Sequence, residues 1–307
     1  METFLSQLIF GLQRGTIYAL IALGYTMVYG VVRLINFAYG EIFMIGAFIS
    51  FFLVNGMNLP PPVLIVFAFL IPMALCGLLG LAMDALAYKP LRQKPRLAAL
   101  ITAIGVSFFL GNYVSYSSGD TIRLSAVFAF SIALLLVLYA AGLKFFGFPV
   151  KPKPGYDYRK FIIPVVSLVL LGTVFWMSKD FLLELRWKGS SFASYPVGKL
   201  LEIEKIPLYK SVYITNIQIM NFVTSILLML VLSFLVNRTM LGMAMRASKN
   251  NRDAVALMGI NVNYVISLTF IIGTALAGAA GVLSGVTYPR LTAFMGIQPG
   301  LKAFIAA

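Results

Sequence analysis

The sequence has 307 residues, of which 60% are hydrophobic and only 11% charged. Soluble domains carry roughly 25% charged residues, so this chain cannot wet a globular surface of its size and reads as an all-α, polytopic transmembrane helical bundle. The formal charge of +14 fits basic cytoplasmic loops rather than nucleic-acid binding. The absence of histidine excludes histidine-based acid–base chemistry and the common zinc sites. The single cysteine, Cys76, lies in an apolar run; it cannot form an intramolecular disulfide and reads as a small core residue.

In chain order, the apolar runs predict about eight spans: 4–32, 35–54, 61–88, 97–117, 126–147, 161–178, 214–237 and 263–288, with a further apolar start at 301–307. The first run is too long for the h-region of a cleavable signal peptide. Within the second, Asn36, Gly40 and Glu41 precede a helix that lipid alone would accept. Polar groups at membrane depth usually face a bundle interior or a pathway, and a glycine-containing break lets backbone turn towards a cavity. The alternative places them at the cytoplasmic interface, Glu41 pairing with Arg33. The connections are a short turn at 55–62, a basic stretch at 88–96, another at 144–160, a longer mixed loop at 179–213, and a polar, helical-looking stretch at 237–261.

Basic residues follow the third, fifth and seventh spans, so the positive-inside rule places those loops in the cytoplasm and the N-terminus outside. Small residues recur every four positions at Gly273, Ala277, Gly281 and Gly285, and similarly at Gly11, Gly15 and Ala19. Such stripes permit close helix packing; a surface that slides during transport is the functional alternative. Beyond the seventh span, Asn251 is placed to cap a short helix carrying Asp253 in its first turn. Ala254, Val255, Leu257 and Met258 give it an apolar face, and Gly259 ends it. That helix either lies on the membrane surface or docks into a partner's groove. There is no GxxxxGK[ST] phosphate loop and no histidine-dependent triad, so the chain is not expected to be an enzyme or to bind ATP by that motif.

Asp253-Ala254-Val255-xxx-Gly259 resembles the EAA-xxx-G coupling loop of ABC importer permeases. RTMLGMAMRASKNNRDAVALMGINVNYVISLTFIIGTALAGAAGVLSG, GLQRGTIYALIALGYTMVYGVVRLINFAYGEIFMIGA and YKPLRQKPRLAALITAIGVSFFLGN are together similar to permeases of the branched-chain amino acid ABC importers, over roughly 8–117 and 214–307. The resemblance implies a single permease domain over 1–307 in a bacterial-type inner membrane. It further implies a second, homologous permease, two cytoplasmic ATPase subunits that bind the ATP, and an extracytoplasmic substrate-binding protein. The substrate would be a branched-chain amino acid or a related small solute. It assigns coupling to Arg246, Asn251, Asp253, Ala254, Leu257 and Gly259, and a possible translocation pathway to Asn36, Tyr39, Gly40 and Glu41. No metal or cofactor of the chain's own is implied.

Three departures from the family pattern stand out. The family's N-F-A-H-G is here N-F-A-Y-G, with Tyr39 for histidine, which removes an imidazole from that place. Residues 124–213 look longer than the family's, as an inserted hairpin of two spans (Ala126–Gly147 and Phe161–Ser178) with an outer loop. The chain stops at GLKAFIAA where the family continues, so further helices are expected. The same fold carrying urea, amides or another amino acid is one alternative. A stand-alone secondary transporter or channel is another; it calls for paired ionisable groups at mid-membrane, and only Arg14, Glu41 and Asp84 come near.

Overall fold

The computed structural model describes residues 2–32, 36–92, 96–116, 193–201, 204–209 and 212–306. The inserted hairpin expected over 126–178 lies outside these residues. The described chain is helical almost throughout: α1 (Glu2–Val32), α2 (Tyr39–Gly56), α3 (Pro61–Met83), α4 (Arg96–Tyr116), α5 (Val197–Leu200), α6 (Asn216–Arg238), α7 (Met240–Asn250), α8 (Arg252–Leu257), α9 (Val262–Thr287) and α10 (Ile297–Ala306). Helix α3 continues through a π turn at Asp84–Tyr88 and a 3-10 turn at Lys89–Leu91. The expected boundary at 88 therefore falls one turn early. Pro90 does not stop the helix where the sequence suggested, because a 3-10 turn accommodates proline near its start. Five helical stretches are long and apolar enough to cross a membrane, among the described residues: those of α1, α2, α3 with its extension, α6 and α9. Helix α4 carries a shorter apolar core, Leu97–Asn112.

Burial sorts the helices. Fifteen of the 18 residues of α2 and 18 of the 26 of α9 are buried, against five of 23 in α6. Helix α9 is thus the central post, packed by α1, α2 and α3, whereas α6 turns Val223, Leu227, Leu230 and Phe234 outward.

Small residues make this packing possible, since helices in lipid gain most from close van der Waals approach. Gly273, Gly281 and Gly285 face α1, α2 and Tyr195, and Gly278, off that stripe, faces α3. A Cβ on Gly273 would lie 2.6 Å from Val28 Cγ2 of α1; one on Gly278 would lie 2.8 Å from Cys76 of α3; one on Gly281 would overlap the Phe43 carbonyl of α2; and Gly285 faces Tyr195. Ala277 is fully buried. Among the described residues the expected stripe at Gly11, Gly15 and Ala19 makes no close helix approach through its glycines. Gly11 and Gly15 are exposed, with nothing described within 4 Å of a Cβ at either.

The bundle has two distinct ends. At one, Arg252 donates to the carbonyls of Val31 (2.7 Å) and Val32 (2.6 Å) at the close of α1, and Arg92 reaches Asn263 at the start of α9. At the other, Lys199 donates to the Asn55 carbonyl (3.2 Å) and Gln218 to Gln13 (3.2 Å). There, β1 (Ala193–Ser194) pairs antiparallel with β4 (Arg290–Leu291), as does β2 (Lys205–Tyr209) with β3 (Val212–Thr215). The basic stretch 88–92 and the segment 251–261 thus share one end, and the 55–60 and 193–215 connections share the opposite one. The loop over 179–213 holds short strands and a helical turn where the sequence suggested only irregular chain.

Candidate functional site

Two places gather the residues singled out by sequence. The first is the tight corner after α6. Thr215 and Gln218 cap the start of α6 with a reciprocal capping box, and Thr239 caps α7 by accepting from the Gly242 N–H (3.2 Å). Arg246, which is exposed, donates to the Val236 carbonyl (2.7 Å) and Asn237 Oδ1 (3.2 Å), which ties α7 to the end of α6.

Helix α8 follows. Asn251 Oδ1 accepts from the N–H groups of Asp253 (3.0 Å) and Ala254 (3.1 Å), so the side chain satisfies two otherwise orphaned donors. Gly259, at φ +81°, is the one described glycine in the left-handed region and ends the helix. Asn261 then caps α9 in the same manner, accepting from Asn263 (3.1 Å) and Tyr264 (3.3 Å). Of the expected apolar face only Val255 is buried. Ala254 is exposed, and Leu257 and Met258 stand out at 90% and 78% exposure. A six-residue helix is therefore clamped at both ends, tied through Arg252 to α1, and left with two large apolar side chains uncovered.

The second place is a cavity of about 240 Å³ between α1, α2, α4 and α10. It collects all four pathway candidates: Asn36, Tyr39, Gly40 and Glu41. Asn36 Oδ1 accepts from the Ala38 N–H (3.0 Å), and Glu41 Oε1 accepts from Ser107 on α4 (3.3 Å). Asn36 Nδ2 and Glu41 Oε2 are buried without a hydrogen-bond partner among the described residues. The pairing of Glu41 with Arg33 falls on residues outside those described. Tyr39 is turned to packing: its hydroxyl donates to the Gly273 carbonyl against Gly24, where any Cβ would overlap that hydroxyl.

Gly40 lines the cavity and also serves packing. Gly40, in the first turn of α2, lets that helix meet α10. A Cβ there would overlap the Gly296 carbonyl oxygen and lie 3.3 Å from Gly300 Cα.

Sequence reasoning missed Ser107 and Gly111 of α4, Phe304 of α10 and Phe294 in the turn before α10. The Gly296-xxx-Gly300 spacing was a legible signal for close approach; the lone serine in an apolar run was not. Phe294 also lines a second, larger cavity of about 470 Å³ whose wall includes Arg14, Arg290 and Lys302. A buried ion pair, Arg92 to Asp84 at 2.5 Å, lies at the α3 end rather than mid-membrane, with Ser267 donating to the second Asp84 oxygen (2.6 Å).

The sequence profile of the branched-chain amino acid transport system / permease component family matches residues 7–307. The chain belongs to that family. It is 32% identical over 308 residues to the high-affinity branched-chain amino acid transport system permease protein LivH of Salmonella typhimurium, spanning 99% of this chain and 78% of the relative. The same values hold for LivH of Escherichia coli and for BraD, the permease protein of the corresponding high-affinity system, of Pseudomonas aeruginosa. No solved structure matches the chain. Family and spans together make this a multi-pass membrane protein and a permease component of a transport system.

Proposed function

We propose that the chain is the transmembrane permease subunit of an ATP-driven importer of branched-chain amino acids. It works beside a second, similar permease in the bacterial inner membrane, with two cytoplasmic ATPase subunits and an extracytoplasmic protein that delivers the substrate. The observation that carries this reading is α8: a capped, clamped helix that leaves Leu257 and Met258 uncovered. Such a knob fits a hydrophobic groove on a partner, the helix-in-groove mode of recognition. The names of LivH and BraD, permeases of branched-chain amino acid transport systems, supply the substrate class.

The mechanical logic follows from the connections. ATP is bound by the partners, and their motion reaches this chain where α8 seats. From there it passes through Arg252 into the end of α1 and through the Asn261 cap into α9, the helix on which α1, α2 and α3 pack. Movement of α9 against α1 and α2 opens the Glu41 cavity alternately to the two sides. The chain itself breaks no bonds.

The test is a reconstituted transporter carrying Gly259→Val or Ala254→Glu. At φ +81°, with nothing within 4 Å of an added Cβ, the valine is strained by backbone alone. The glutamate puts a charge on the exposed docking surface. Both lower uptake and the ATPase stimulation by loaded binding protein, while docking of that protein on the other side of the membrane is unchanged. Wild-type values of both activities in both variants refute α8 as the coupling element.

A further inference from the structure

We propose, resting on the transport reading above, that the cavity between α1, α2, α4 and α10 recognises the two charged ends of a free α-amino acid. The Glu41 carboxylate takes the ammonium group, the Asn36 amide donates to the carboxylate, and the apolar wall receives the side chain.

The geometry of the two polar groups points this way. Asn36 is buried, and its orientation is fixed. Its oxygen is engaged by the Ala38 N–H (3.0 Å), so its NH₂ is the end left over, and that nitrogen has no partner among the described residues. Glu41 is also buried. One oxygen accepts from Ser107 (3.3 Å), and the other has no partner among the described residues. Leaving a buried donor and a buried acceptor unmade costs free energy, so a site that keeps one of each beside a cavity is suited to a ligand that supplies their complements. An α-amino acid zwitterion supplies an ammonium donor and a carboxylate acceptor on the same carbon.

The space around Glu41 is also maintained. Gly111 of α4 faces the free oxygen, and a Cβ there would lie 3.4 Å from Glu41 Oε2 and 3.3 Å from Phe294. The remaining wall is hydrocarbon: Ile104, Phe108, Ile297, Leu301 and Phe304. At about 240 Å³ the cavity falls below the roughly 300–1,000 Å³ of sites for drug-sized ligands, which suits a small solute with an aliphatic side chain. Ligand pockets combine an apolar lining with a few placed polar groups in this manner.

The experiment uses the complete transporter, with partner permease and ATPases, in nanodiscs without binding protein. Labelled leucine is displaced by leucine, by 4-methylpentanoate (which lacks the ammonium) and by leucinamide (which lacks the carboxylate). The wild type favours leucine over both analogues. Glu41→Gln keeps the shape and removes the charge. It weakens leucine by at least about tenfold, as expected for a charge-assisted hydrogen bond, while leaving 4-methylpentanoate unmoved, so that gap closes. Asn36→Asp keeps the oxygen that Ala38 uses and replaces the donor by an acceptor, so the gap to leucinamide closes instead. If Glu41→Gln fails to assemble, Ser107→Ala carries the same comparison, changing leucine affinity and not that of 4-methylpentanoate.

Proportional loss of all three ligands marks a structural role and overturns the assignment. So does unchanged discrimination in both variants, or active wild-type uptake with no measurable binding. A wild-type transporter that takes up no leucine, even with ATP and binding protein, instead sinks the transport reading on which the assignment rests.

Discussion

Gly40→Ala is the substitution whose effect the packing fixes most tightly. The added methyl would overlap the Gly296 carbonyl oxygen, approach the Gly296 carbonyl carbon to 3.0 Å and Gly300 Cα to 3.3 Å. All three neighbours are backbone, so no rotamer change relieves the clash, and α10 must back away from α2. The same movement pulls Phe304 from Tyr25, whose ring centroids lie 5.7 Å apart, and widens the cavity beside Glu41. Overpacking of this kind costs about 1–3 kcal/mol. At about 2–4 °C per kcal/mol for chains somewhat smaller than this one, the melting temperature of the purified complex falls by several degrees, and uptake falls with it. Gly105→Ala is the matched control. It sits in α4 with nothing within 4 Å of its Cβ, so alanine there is neutral or gains up to about 1 kcal/mol from helix propensity. Equal effects of the two alanines in scanning calorimetry would refute the reasoning that α2 and α10 meet at Gly40.

Three other outcomes follow. Asp84→Asn leaves Arg92, whose side chain is 10% exposed, without its anionic partner. Breaking a buried pair from one side costs about 3–5 kcal/mol, so Asp84→Asn or Arg92→Gln alone destabilises more than the double substitution, as thermal melting of the three variants would reveal. Cysteines placed at Leu257 and Lys199 are labelled by an impermeant maleimide only from the cytoplasm and only from outside, respectively. Cys76 is fully buried and contributes no background, and reversed labelling overturns the topology. Burial pushes the Tyr195 hydroxyl from 10.0 up to about 12, against a smaller opposing effect of its hydrogen bond with Ser50. Because the folded value is the higher one, its stabilising contribution is intact below pH 10 and is lost as pH rises towards 12. Tyr195→Phe removes that loss from a pH series of melting curves.

Much of the fold was readable from sequence because the bilayer enforces it: runs of apolar residues can only be helices, and α1, α3, α6 and α9 begin and end within a few residues of expectation. The caps at Asn251 and the turn at Gly259 were readable as well, since short side chains and a Cβ-free residue have strong local preferences. What escaped is non-local. The stripe on α9 was legible, but not its partners on α1 and α2, nor Gly278's partner on α3, since no periodicity states which neighbour each face meets. Gly40 was read as part of a break beside a cavity, and nothing local showed that it packs on Gly296, more than 250 residues away. The cavity itself depends on α4 supplying Ser107 and on Gly111 leaving room for Glu41. That juxtaposition exists only after α2 and α4 pack together.

The central claim, that this chain is the membrane passage of an ATP-driven amino-acid importer, is tested most directly by uptake of labelled leucine into proteoliposomes. These contain the chain, a partner permease and the ATPase subunits, with binding protein outside and ATP enclosed. The account predicts accumulation that requires ATP and binding protein and disappears when this chain is omitted. Accumulation driven by an ion gradient without ATP, or none under any condition, would contradict it.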